Sequence, residues 1–254
     1  QYDAYIEQLH EISSSSGVAV TEAAKVTRQL AGTFADEDTG VPDFGRAMTE
    51  GRTALQLTQI TGIDQQQLTD ELTAMSLAFD RSFEQIGDNV VGLEKRFGVL
   101  APELIEFTAK LAPLGAELGF TAEQLTGLGA AAQQSSGLSG AVLAEQFGRI
   151  LPGLQERRGQ LVQLLNSNPQ TDDSADELLG AFADSNIPDV LRVLVRECDN
   201  LSEAQQNQLV SMVGGRREAA AFYSILERGG STIRALDATE GDFAGEMGER
   251  WESY

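Results

Sequence analysis

Nucleophilic catalysis needs a hydroxyl or thiol held beside a base, most often a histidine, and this chain of 254 residues contains one histidine, His10, and one cysteine, Cys198. His10 falls in a helical pattern with Glu7 and Glu11 as neighbours, which reads as a solvated helix face. Cys198 lies between the apolar stripe ending at Val195 and a turn at Asp199-Asn200, with Leu194 four positions back, and reads as a small packing residue. A single thiol excludes an internal disulfide and gives no support to a thiolate metal site.

Paired carboxylates occur at Asp70-Glu71, at Asp172-Asp173, and at Glu246 with Glu249. In a chain with 39 Asp and Glu against 18 Lys and Arg, such spacings arise without a catalytic reason, and each pair reads as a solvated face. A cell-wall hydrolase of the glycosidase type would need one of its two acids held in an apolar pocket, and no stretch of sequence identifies such an acid. Gly127-Leu128-Gly129 and Gly214-Gly215-Arg216-Arg217 bear a superficial likeness to phosphate loops. Neither follows a strand, and neither has the spacing of a P-loop or a dinucleotide fingerprint. Arg216 and Arg217 stand at a helix start, the unfavourable end for cations, which points to a nearby carboxylate such as Glu203 or to a subunit contact. No catalytic, cofactor-binding or metal-binding residue is assigned.

The elements that would have to position these groups are helices. Aromatic content is 6%, glycine numbers 26, and the net charge is −21. That charge disfavours nonspecific binding to nucleic-acid phosphates and to an anionic membrane surface. No apolar run approaches the roughly 20 residues that cross a bilayer.

The strongest pattern is a corner repeated five times: a glycine, an apolar residue directly after it, and a second apolar residue five positions further on. It occurs at Gly17-Val18 with Ala23, Gly62-Ile63 with Leu68, Gly98-Val99 with Leu104, Gly119-Phe120 with Leu125, and Gly137-Leu138 with Leu143. Glycine adopts the left-handed conformation that ends a helix, and the next apolar residue packs back on the closing turn. Thr21, Asp64, Thr121 and Ser139 are the expected helix starters, with Pro102 in the first turn of the remaining copy. Successive glycines lie 45, 36, 21 and 18 residues apart, too irregular for a solenoid of equal repeats.

Apolar spacing places helices at 2–12 and 20–36, separated by Ser13 to Ser16, then at 43–61 with Asp43 as cap and Phe44, Ala47, Met48, Leu55 and Ile60 on one stripe. Further helices fall at 64–80, 82–97, 102–118, 121–135 and 140–166, the last bent at Pro152-Gly153. Residues 36–42 form a loop. Beyond the polar stretch 166–174, Ser174 and Glu177 suggest a capping box, and helices follow from Ile187-Pro188, Leu201-Ser202 and Arg216. Residues 237–254 carry six acids and one base and need a partner to be helical. No convincing strand pattern occurs. The fold expected is all-α, an irregular multi-helix bundle or stack of short helices joined by glycine-apolar turns. Its expected parts are a helical subdomain at 1–166, a second at 175–235 and an acidic tail at 236–254 that continues into a longer chain.

Three segments carry a family resemblance. Thr61-Gly62-Ile63-Asp64 leads into Leu68-Thr69-Asp70-Glu71-Leu72. Leu118-Gly119-Phe120 runs through Leu125 and the small residues from Ala130 to Gly137-Leu138-Ser139. Ile187-Pro188-Asp189-Val190-Leu191 precedes Leu201 to Gly215-Arg216-Arg217 and Ala219 to Phe222. Their order, over about 55–230, resembles the globular helical core region of the tape measure proteins of tailed bacteriophages. The resemblance implies a non-enzymatic tail component that sets tail length during assembly and is released with the DNA. It also implies a homo-oligomer in contact with tail tube and tail tip or baseplate proteins, located in the virion tail and in host cytoplasm during assembly. Host-envelope contact at ejection belongs to the same picture; specific nucleic-acid binding and cofactors do not. The competing readings are a generic helical scaffold or adaptor domain of a bacterial protein and a peptidoglycan hydrolase module.

Overall fold

A computed structural model describes residues 2–35, 39–213, 219–237 and 241–253. Among them the chain is all helical, with 15 α-helices and no strand. The helices are α1 (Tyr2–Ser16), α2 (Val20–Thr33), α3 (Phe44–Thr61), α4 (Gln65–Phe79) and α5 (Phe83–Phe97). They continue as α6 (Ala101–Glu117), α7 (Ala122–Ser136), α8 (Gly140–Glu156), α9 (Arg158–Asn166) and α10 (Asp172–Ala183). The remainder are α11 (Ile187–Glu197), α12 (Glu203–Val213), α13 (Ala219–Glu227), α14 (Gly229–Leu236) and α15 (Glu246–Glu252).

All five corner glycines have positive φ, at 69°, 70°, 66°, 82° and 66° in chain order. The second apolar residue of every corner, Ala23, Leu68, Leu104, Leu125 and Leu143, is buried to 1% exposure or less. At Gly119 the closing bonds run from Phe120 N–H to the Gly115 carbonyl and from Gly119 N–H to the Ala116 carbonyl, a Schellman closure. Each corner is therefore a helix stop, an apolar staple and a helix start within seven residues.

The starters match the sequence in part. Asp64 accepts from the Gln66 and Gln67 amides, Thr121 forms a capping box with Gln124, Ser139 accepts from Val142, and Asp43 accepts from Arg46. Thr21 is a correction: α2 begins one residue earlier, with Ala19 as an N-cap that makes no side-chain bond. Ser174 is another, since α10 begins at Asp172 and the Ser174 hydroxyl donates to Glu197 at 2.8 Å instead. Ser202 and Gln205 form an unforeseen reciprocal pair at the start of α12.

The Ser13 to Ser16 run does not end α1. The Ser15 and Ser16 hydroxyls donate back to the Ile12 carbonyl, so the helix absorbs its serines. The break expected at Pro152 falls at Arg157, which divides α8 from α9. Arg157 donates a side-chain hydrogen bond to the Met212 carbonyl at the end of α12. Phe44 is 47% exposed and so stands off the buried stripe of α3.

Two buried clusters lie on either side of a wall made by α6 and α7. One gathers Leu30, Leu55, Leu68, Leu72, Phe83 and Leu93 from the first five helices, together with Leu104, Ile105, Ala130 and Ala131 of the wall. The other gathers Phe107, Leu111, Leu125 and Leu128 of the wall with Phe147, Leu161, Phe182, Leu191 and Phe222. The polar stretch 166–174 links α9 to α10, both of which contribute to this second cluster. Thr171, 1% exposed, donates its hydroxyl to the Leu165 carbonyl, so α9 and α10 pack against each other. Residues 36–38, within the expected loop at 36–42, and 214–218, with Gly214, Gly215, Arg216 and Arg217, lie outside the described residues.

Gly62→Ala places a Cβ in open space at φ 70° and is expected to lower stability by about 1 kcal/mol through backbone strain alone. Gly180→Ala, in the interior of α10 with nothing within 4 Å of the new Cβ, is expected to raise it by about 0.5–1 kcal/mol. Urea denaturation followed by far-UV circular dichroism checks both signs.

Candidate functional site

The structure disperses the residues singled out for chemistry. His10 is exposed on α1, in line with Glu7 and Glu11; Glu11 is held by Arg52 of α3 at 2.9 Å. Cys198 is 5% exposed, and burial, with Asp199 adding to it, pushes its thiol above the ordinary range. A thiol that resists ionisation is a poor nucleophile. Asp70 is exposed and accepts from Gln29 and Gln66. Asp172 and Asp173 are exposed in the first turn of α10, where acids complement the helix dipole. Glu246 pairs with Lys95 at 3.0 Å. Gly127 and Gly129 sit inside α7: a Cβ at Gly127 would come 2.5 Å from the Ala235 carbonyl oxygen, and one at Gly129 2.4 Å from the Phe107 ring. They are points of close helix approach. Among the described residues, no group of three or more His, Cys, Asp or Glu side chains is placed to share a metal ion.

The carboxylates that the structure uses most heavily are ones that sequence spacing did not single out. Glu50, 4% exposed on α3, accepts from the Phe83 amide at 2.7 Å, the first amide of α5. Glu103 of α6 accepts from the Gly140 amide, the first of α8. Glu94 of α5 accepts from the Ala101 amide at 3.3 Å, the first of α6. Asp88 of α5, 8% exposed, accepts from Gly245 at 2.8 Å and Met247 at 2.9 Å, at the start of α15. In each case an acid on one helix satisfies an amide that has no partner within its own helix.

Burial raises the Glu50 carboxyl above its ordinary value, against the opposing pull of the Phe83 amide and Arg46. Arg46 itself lies over the Phe34 ring, 4.1 Å from its centre. Burial likewise raises Glu71, whose Gln67 contact opposes it. Burial acts on Glu197 in the same direction, yet hydrogen bonds from Arg196, Asn200 and Ser174 outweigh it and hold that carboxyl below the usual range. One signal for Glu50 was legible: it shares a helical face with Ala47, Ala54 and Leu57, and an acid on an apolar face calls for a buried partner. Its partner, an amide 33 residues away, was not.

A cleft of about 410 Å³ opens between α1, α3, α5 and α15, with Glu11, Ile12, Met48, Arg52, Glu84 and Met247 on its walls. These side chains offer an exposed ion pair and apolar surface, and they bring no nucleophile together with a base. The described geometry builds helix junctions from its acids.

Glu50→Gln retains an oxygen for the Phe83 amide while removing a charge from a buried place. Because the folded-state value of Glu50 is raised, its favourable contribution is full below the unfolded value and is lost as pH rises through the folded one. Relative to the wild type, Glu50→Gln is therefore expected to gain stability between pH 4 and pH 7, which paired urea titrations measure. Cys198 is expected to react with iodoacetamide far more slowly in the folded chain than in urea, as read by mass spectrometry; equal rates would place the thiol in solvent.

Residues 6–215 match the family model described as phage-related minor tail protein. No curated protein and no solved structure gives a significant match. The matched span runs from α1 through α12 and takes in all five corners, both sides of the α6–α7 wall and three of the four cross-helix caps. On that match over most of its length, the chain belongs to the phage-related minor tail protein family.

Proposed function

We propose that this chain is the folded helical part of a tail tape measure protein, a non-enzymatic component that sets tail length during assembly and is released with DNA at ejection. The observation that carries the reading is the unit between Gly119 and Gly137, where a glycine-apolar corner, a helix ending in small residues and a second such corner follow one another. This unit bears the resemblance to tape measure cores, lies within the family match and forms half of the wall between the two buried clusters.

In this reading the chain is not itself the measuring rod. Its longest described helix, α3, has 18 residues, or about 27 Å at roughly 1.5 Å per residue. A continuous helix of all 254 residues would reach about 380 Å on the same basis. Measurement then belongs to helical sequence elsewhere in a longer chain, and this part is a body that docks. Its partners are further copies of itself and the tube and tip or baseplate proteins, inside the tail tube or at its tip. Host-envelope contact follows at ejection. A net charge of −21 suits a component that shares a channel with DNA, because it repels the phosphates rather than trapping them.

In-frame deletions in the parent gene outside the part encoding these residues are expected to shorten the tail by about 1.5 Å per residue removed, as measured by electron microscopy of purified particles. Tails of unchanged length would overturn the measuring role. Absence of the protein from purified tails, read by mass spectrometry, would overturn its place as a tail component.

A further inference from the structure

Residues 241–253 cross α5 and end in α15, a helix of seven residues. Isolated helices shorter than about 12 residues are marginal in water, so α15 persists through what it rests on. Asp88 receives its first amides, as described. Met247 is 5% exposed, and Phe243 and Trp251 pack partly buried on the first cluster. Arg96 reaches over the Phe243 ring, 5.3 Å from its centre. Two ion pairs at the surface, Lys95–Glu246 and Arg250–Glu94, complete the contact.

The floor beneath this segment is built from glycine. A Cβ on Gly87 would lie 2.7 Å from the Met247 sulfur. On Gly92, the three atoms nearest to a Cβ all belong to Phe243, the closest at 2.2 Å. Glycine inside a helix is unfavourable relative to alanine, and α5 carries two at the places where residues 241–253 press closest. The groove is thus shaped to its occupant at the expense of the helix that forms it.

We infer that residues 241–253 are a releasable strap, with Asp88 as its catch and Gly87 and Gly92 as its seat. The strap is fastened by two hydrogen bonds from its amides to Asp88, surface charges and a few apolar side chains, whereas α5 beneath it buries Phe83, Val90 and Leu93 completely. Elements with so few buried contacts open at lower free energy than the core they cover. Met247 also lines the cleft between α1, α3 and α5, so release of the strap opens that cleft along one side.

Trp251 is the only tryptophan in the chain, and its fluorescence therefore reports the strap alone while far-UV circular dichroism reports all the helices. In the full chain, the Trp251 emission is expected to shift to the red at a lower urea concentration than the loss of helical signal. Gly92→Ala displaces Phe243, and Asp88→Asn removes the charge that receives the α15 amides. Both are expected to show red-shifted emission in buffer alone, with the dichroism midpoint preserved. Backbone exchange in α15 is expected to accelerate on the order of tenfold in Asp88→Asn, the scale of losing a charge-assisted bond. Two results overturn the inference: fluorescence and dichroism transitions that coincide in all three proteins, or a variant that loses its helical signal under native conditions. Either would make the segment part of the cooperative core.

Discussion

A carboxylate on one helix that accepts the first free amides of another is the interaction on which this structure depends. Every α-helix begins with four N–H groups that its own ladder leaves without partners, and a chain cut into many short helices multiplies such ends. Local caps meet part of the need, as at Asp43, Asp64, Ser82, Thr121 and Ser139. Glu50, Glu94, Asp88 and Glu103 meet more of it across helices. A local cap only starts its own helix, whereas a cross-helix cap also fixes where that helix must lie. Charge-assisted bonds of this kind are worth about 1.5–3 kcal/mol and the positive end of the receiving helix favours the acid further, although at Glu50 the cost of burying the charge outweighs these gains.

Glycine supports the same architecture in two ways that should be kept apart. At the corners, as at Gly62, it supplies a backbone conformation, and a Cβ there would meet nothing within 4 Å. Inside the helices it supplies distance. A Cβ on Gly140 would stand 2.0 Å from the Glu103 carbonyl oxygen, and one on Gly153 would stand 2.8 Å from that of Val213. The Gly140 position combines both principles of the fold, since the absence of a side chain lets α6 approach near enough for the Glu103 carboxylate to reach the amide. Close approach and the cross-helix cap are therefore one feature at this junction.

The corners were readable because everything they need lies within seven residues: the glycine, the staple and the first buried residue of the next helix. The class of fold followed from them. What escaped were features decided by distant partners. Ser174 has the sequence of a capping residue, but Glu197 of α11 offers its hydroxyl another acceptor. Thr21 has the right residue type two positions too late, because Ala19 already accepts the first bonds of α2 through its carbonyl. The polar stretch 166–174 hides one buried residue, Thr171, whose hydroxyl meets the Leu165 carbonyl six positions back. For the chemistry, His10 and Cys198 were correctly read as a solvated and a packed residue. The acids that matter to the fold were hidden among 39, since only the third dimension tells a surface carboxylate from one aimed at an amide.

That use of carboxylates bears on what the chain can do. An acid that takes part in proton transfer must exchange its partner during the reaction, whereas Glu50 and Asp88 are held by backbone amides whose release would free a helix end. Displacing either of them acts on architecture before it acts on any substrate. The consequence for mechanics differs between the two. Glu50 joins α3 to α5 beneath a packed cluster, where Phe34 and Phe83 meet edge to face at 6.0 Å, so its junction is stiff. Asp88 holds a seven-residue helix at the surface, so the same bond there makes a joint. A tail component assembled from short helices gains rigidity where such an acid lies beneath a packed cluster, and freedom to rearrange where it holds only a short surface helix.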